Sequence, residues 1–108
     1  MLLVRAIIRP EKSGIVMREL AAAGFPAVTK LDVYGRGKQK GITVGDVHYD
    51  EIPKDMLVIV CNDEDKEDLV KIIIRTAKTE AKGAFGDGRI FVSPVESAYT
   101  ISSGKPGL

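Results

Sequence analysis

A four-stranded antiparallel sheet with two helices on one face, an α+β sandwich, is the fold class that these 108 residues predict. Three observations predict it. The chain is two related halves, each reading strand, helix, strand, with a Gly-X-Gly element at the outer end or the start of its second strand. Each helical segment carries one apolar stripe and so has one face to bury. The segment "MLVIVC", residues 56–61, is apolar on both of its alternating sets, Met56, Val58, Val60 and Leu57, Ile59, Cys61, so both faces of the sheet need cover. Two helices cover only one face. The simplest cover for the other is a second copy of the chain, which makes the expected form a ferredoxin-like βαβ-βαβ sandwich that oligomerises through its open face.

The elements follow in order. "LLVRAII" alternates Leu2, Val4, Ala6 and Ile8 with Leu3, Arg5 and Ile7, the pattern of a strand. "EKSGIVMRELAAAGF" is amphipathic, with Val16, Leu20 and Ala23 as its stripe and Gly24 as its stop. "AVTKLDVYGRG" is the second strand and "DMLVIVCNDED" contains the third. In "KEDLVKIIIRTAKTE", Leu69, Ile72, Ile73 and Ala77 recur at helical spacing while Lys66, Glu67, Lys71 and Lys78 point elsewhere. Asn62 and Asp63 are candidate caps for it, and acidic residues in its first turn suit the helix dipole. "GDGRIFVSPV" is the fourth strand. In the tail "AYTISSGKPGL", residues 98–102 could add a short strand before small and turn residues that read as frayed.

Composition narrows the function. One domain spanning residues 1–108 is expected, 44% hydrophobic and 29% charged, with a formal net charge of +1. That balance argues against a nucleic-acid partner, which calls for a basic face. No apolar stretch approaches membrane-spanning length, since Arg5 interrupts the first, and the same start is too short and too quickly polar for a secretory signal. Cys61 is the single cysteine and excludes an intramolecular disulfide or a cysteine-based zinc site. It reads as a small apolar filler at the end of a core strand. A cytoplasmic location is the expectation.

Two glycine-rich elements carry chemistry. "YGRGKQKGITVGD", residues 34–46, holds four glycines and three cationic side chains. It is neither a Walker A loop nor a dinucleotide fingerprint, because the spacing is wrong and no helix follows. A solvated turn explains it equally well on these residues alone. Its functional reading is an anion site, in which glycine backbone N–H groups close on phosphate oxygens while Lys38 and Lys40 add charge. "GDGR", residues 86–89, is by itself a turn. Facing the first element, within or between subunits, it would complete a polyphosphate site.

Taken in order, "VRAIIRP", "YGRGKQKGITVGD", "EIPK", "IIIRTAKT" and "GDGRIFVSPVESAYTI" resemble the PII (GlnB-like) nitrogen-regulatory family across nearly the whole chain. "GITVGDVHYDEIPK" and "IFVSPVE" resemble its nitrogenase-linked NifI-type branch. The resemblance implies a trimer with ATP or ADP in the clefts between subunits. It implies a T-loop at residues 36–54, a loop over the phosphates at 80–89 and a C-terminal tail at 102–108. By similarity Ile7, Thr29, Gly35, Gly37, Lys38 and Gln39 line the nucleotide from one subunit, and Gly86, Asp87, Gly88 and Arg89 close over the phosphates from its neighbour. Gln39 matches the residue that ligates Mg2+ through its amide oxygen, a site completed by ATP and 2-oxoglutarate. Lys54 matches the residue that pairs with the distal carboxylate of 2-oxoglutarate, with backbone N–H groups at Lys40 and Gly41 on the near end.

The chain also departs from the family pattern. Arg89 stands in place of the usual lysine and Lys38 in place of a frequent arginine, exchanges between a forked and a point-charge donor. A family pair of basic residues that contacts phosphate is Thr100 and Ser102 here; at a desolvated site two charge-assisted contacts are worth a few kcal/mol. The T-loop is shorter than the enterobacterial pattern, and "TEAKGAFGDG" is longer than the usual connection. Asp46, His48, Tyr49 and Asp50 are expected partner contacts at the loop tip, with Tyr49 as the anchor. The residues from Asp63 to Asp68 read as a solvated helix start.

The functional expectation is a non-enzymatic sensor that binds ATP or ADP, Mg2+ and 2-oxoglutarate as effectors. Through its T-loop it would control a target, expected to be the dinitrogenase component of nitrogenase, as a homotrimer or a hetero-oligomer with a sister PII-like protein. The alternative within the family is a general regulator of an ammonium transporter or nitrogen-assimilation enzyme. From another class, a small phosphate-hydrolysing enzyme on the same fold is disfavoured because no nucleophile lies beside a base.

Overall fold

The computed structural model describes residues 1–36 and 51–108. The first strand, β1 (Leu2–Ile8), leads through a 3-10 turn at Pro10–Lys12 into α1 (Ser13–Ala22) and then β2 (Thr29–Gly35). The second half repeats the order with β3 (Ile52–Cys61), a 3-10 turn at Asp63–Asp65, α2 (Lys66–Ala77) and β4 (Gly88–Pro94). The sheet runs β2-β3-β1-β4 with every neighbouring pair antiparallel. This is the ferredoxin-like arrangement that the two-halves pattern predicts.

The core lies between the helices and one face of the sheet. Val4, Ala6 and Ile8 come from β1, and Leu57, Ile59 and Cys61 from β3. Val16 and Leu20 descend from α1 and Leu69, Ile73 and Ala77 from α2, at the four-residue spacing that keeps side chains on one helical face. Ala23, expected in the α1 stripe, is exposed, because the helix ends at Ala22 and Gly24 turns the chain away at φ +96°. Cys61 is buried, and burial, reinforced by Asp65 and Asp63, pushes its thiol above the ordinary value.

Asn62 and Asp63 make no side-chain cap. The chain takes a 3-10 turn first, and Asp63 accepts from the Met1 amine at 2.5 Å instead. Glu67 and Asp68 do occupy the first turn of α2, with Arg75 in its last, each at the end its charge favours.

The other face of the sheet is the open one. Antiparallel register sets Thr29, Val58, Arg5 and Phe91 in one row across the four strands. Leu31, Met56, Ile7 and Arg89 form the next row, and Val33 pairs with Lys54 beyond it. Leu31 is 41% exposed, Val60 37% and Phe91 49%. Leu31, Val60 and Phe91 are large apolar side chains left this exposed among the described residues.

Two further expectations change. The segment 98–102 forms no strand: Tyr99 bridges to Pro106, and the tail folds back through bonds from Thr100 N to Lys105 O and from Gly107 N to Ala98 O. Ser102-Ser103-Gly104 is turn material, so the chain reverses where a strand would have to continue. Ile52, Pro53 and Lys54, expected at the end of the T-loop, are ladder residues of β3, opposite Gly35, Tyr34 and Val33.

Candidate functional site: a cationic corner at one end of the sheet

β1 and β2 end, and β3 and β4 begin, at the same end of the sheet. Gly35, Lys54, Arg9 and Gly88-Arg89 are therefore neighbours by topology, although the sequence spreads them over more than seventy positions. Ile7 and Arg89 are direct cross-strand partners, and both point to the open face.

The connection from α2 to β4 is organised by Asp87. Its carboxylate accepts from Thr79 N at 3.1 Å, Thr79 Oγ1 at 2.5 Å, Ala84 N at 2.8 Å and Arg9 Nε at 3.1 Å. Burial pushes the Asp87 carboxyl up, but these bonds outweigh it and hold the group well below the usual carboxylate range. Arg9 also donates to Phe85 O at 2.8 Å, so one guanidinium braces two points of the loop. Gly83, Gly86 and Gly88 all have positive φ, and Gly88 lies against the β1 backbone at Ile7 and Ile8. Glycine is required there by both conformation and close approach.

Lys54 completes the corner. It leaves the third position of β3, half-buried, and its ammonium donates to the Gly86 carbonyl. Burial lowers its pKa from the ordinary value, the Arg9 guanidinium lowers it further, and Glu11 and Asp87 act in the opposite sense. Two cations thus converge on a partly desolvated site whose carboxylate is already engaged by four donors. Such a site attracts an anion.

The expected site residues divide three ways. Ile7, Lys54, Gly86, Asp87, Gly88 and Arg89 gather at this corner, with Gly35 closing β2 at the same end. Thr29 begins β2 on the edge of the sheet, one row further along and two strands away from Ile7. Gly37, Lys38, Gln39, Lys40, Gly41, Asp46, His48, Tyr49 and Asp50 lie outside the described residues. Asp87, expected over the phosphates, directs its carboxylate into its own loop.

Sequence reading did not single out Arg9 or Thr79. The available signal was weak: a cation directly after an apolar strand, and an acid inside an element expected to hold phosphate. An apolar groove of about 390 Å³ between α2 and β4 is walled by Ile8, Ile73, Ile74, Ile90 and Val92, with Lys78 and Arg89 among its lining. It lies on the helix side of the sheet. Among the described residues no cluster could hold a metal ion, and no helix is long and apolar enough to cross a membrane.

Comparison with known proteins adds the relationship. Residues 1–105 match the family described as Nitrogen regulatory protein P-II. A "Nitrogen fixation nifHD region GlnB-like protein 1" of Methanothermobacter marburgensis is 55% identical over 108 residues, covering the whole of both chains. A protein of the same description from Methanococcus maripaludis is 49% identical, again over the whole of both. A "Nitrogen regulatory protein P-II 2" of Methanothermobacter thermautotrophicus is 43% identical over 106 residues, covering 94% of this chain and 90% of its own. The chain belongs to the P-II family of nitrogen regulatory proteins, in the branch of GlnB-like relatives named for the nifHD region.

Proposed function

We propose that this P-II protein is a non-enzymatic sensor that binds ATP or ADP between subunits of a trimer and takes up 2-oxoglutarate only together with Mg-ATP. The effectors set the state of the T-loop, and the T-loop controls a nitrogen-fixation target, the dinitrogenase component of nitrogenase. The observation that carries this reading is the convergence of Lys54 and Arg9 with the Gly86–Arg89 loop. It offers cationic donors to a carboxylate beside a glycine-rich turn suited to phosphate. The nif-region names of full-length relatives support the choice of target, and the apolar open face supports assembly.

Gln39 would supply one amide oxygen to Mg2+, with Lys40 and Gly41 donating backbone N–H groups to the near end of the oxoacid. A single amide is a poor magnesium site, so the ion needs phosphate and oxoacid oxygens to complete its octahedron. That requirement makes 2-oxoglutarate binding conditional on Mg-ATP. ADP lacks the γ-phosphate and supports no uptake. A ligand shifts the loop equilibrium only by its differential affinity for the two loop states.

The second reading, a general regulator of an ammonium transporter or assimilation enzyme, draws support from the P-II 2 relative at 43% identity. Against hydrolysis, the described hydroxyl–carboxylate pairs have structural employment. Ser13 with Asp55 is a buried joint between α1 and β3, and Thr79 with Asp87 closes a loop. The deciding measurement is calorimetric titration with ATP, ADP and 2-oxoglutarate, with and without Mg2+. Heat from 2-oxoglutarate only in the presence of Mg-ATP is the expected outcome; nucleotide-independent binding, or none, overturns the reading.

A further inference from the structure

We infer that Lys54 links the oxoacid site to the glycine-rich loop of its own subunit, so that effector occupancy and closure of residues 79–88 rise together. The inference rests on the functional reading above for the identity of the anion. Its mechanical part rests on hydrogen bonds alone.

A lysine ammonium has three N–H donors and a flexible four-carbon stem. One donor is on the Gly86 carbonyl, which holds the head in one place and leaves two donors for an incoming carboxylate. The Gly86 carbonyl is itself held by a closed loop. Thr79 and Ala84 bind Asp87, Asp87 N donates to Ala84 O at 3.2 Å, and Arg9 ties both Asp87 and Phe85 to the end of β1. If the loop opens, Lys54 loses its only described acceptor and regains the rotamer freedom of an untethered lysine. A carboxylate then meets a mobile cation in place of a fixed one. By linkage the effect runs both ways: a carboxylate that binds the fixed ammonium stabilises the closed loop by the same factor.

Competition between the carboxylate and the Gly86 carbonyl for Lys54 would give the opposite sign. The free donors on the ammonium, and Arg9 beside it with its own carboxylate partner already shared, favour bridging over exchange. Lys54 and Gly86 belong to the same chain, so this coupling is internal to one subunit.

The test uses the full protein and hydrogen–deuterium exchange of residues 79–88. Lys54→Met, without any ligand, should speed exchange at 84–88 by about fivefold, the equivalent of one lost hydrogen bond. In the wild type at saturating Mg-ATP, added 2-oxoglutarate should slow it by a similar factor. Thr79→Val removes a brace of the loop while leaving Lys54 in place; measured at saturating Mg-ATP, it should weaken 2-oxoglutarate binding about fivefold. Unchanged or faster exchange on adding 2-oxoglutarate overturns the coupling, as does wild-type oxoacid affinity in Thr79→Val. If the wild type binds no 2-oxoglutarate, the functional reading falls and the effector arm with it. The ligand-free Lys54→Met comparison separates that failure from failure of the tether, since unchanged exchange there overturns the tether by itself.

Discussion

At Gly88 the backbone adopts φ +120°, and an added Cβ would lie 1.7 Å from the Ile7 carbonyl oxygen. Neither strain nor overlap can be relieved without parting β4 from β1, which pair there through Gly88 and Ile8. Gly88→Ala should therefore cost about 3 kcal/mol or more, seen as a lowered midpoint in urea unfolding. Gly35, in the other glycine element, is different. A methyl group added there would meet none of the other described residues within 4 Å, and its φ is not positive. Gly35→Ala should leave the unfolding free energy within about 0.5 kcal/mol of wild type, so any change in nucleotide binding by that variant reports on the site and not on the fold. Both glycines invite the same reading from sequence, a turn that admits phosphate. The difference between them is one of backbone angle and proximity, which residue type does not encode.

Between elements, the joint that matters is the one from α1 to β3. Ser13 is 3% exposed and Asp55 5%, and the Ser13 hydroxyl donates to the Asp55 carboxylate; the Lys30 ammonium stands at 4.0 Å. Ser13→Ala would leave a buried carboxylate without its hydroxyl donor and should cost about 1–3 kcal/mol. Asp55→Ala should cost a similar amount, and the double substitution clearly less than the sum of the two. Additive losses in thermal unfolding would show that the pair does not act as a unit. Sequence reading made the α2 stripe legible because Leu69, Ile73 and Ala77 repeat at the helix's own period. Ser13 and Asp55 are 42 positions apart and look like an ordinary helix start and an ordinary strand edge. Asn62 and Asp63 look like caps and are not, because the intervening 3-10 turn moves them away from the first turn of α2.

For the whole molecule, the open face of the sheet is the dominant feature. Leu31, Met56, Ile7, Val58 and Phe91 lie in adjoining rows on the face turned away from α1 and α2, an apolar surface of the kind that marks an interface. The proposed trimer, assembled through this face, predicts a solution mass of three chains by light scattering. Leu31 is 41% exposed in the single chain, so Leu31→Glu should leave the subunit folded and yet lower that mass, since a charge there is tolerated in water and costly in a dry interface. A folded variant that keeps the wild-type mass would place the contact elsewhere.

The sequence by itself determined the order and kind of the main elements and the apolar stripe that α2 buries. Those properties are local: they follow from apolar residues recurring with period two or near four, and the period survives any tertiary arrangement. Only the tertiary structure decided which polar groups meet. Arg9 reaches Asp87 across 78 positions and Lys54 reaches Gly86 across 32, because antiparallel register brings the ends of β1, β3 and β4 to one corner. A hydrogen bond depends on positions fixed to fractions of an ångström, and no periodicity in a linear chain carries that information.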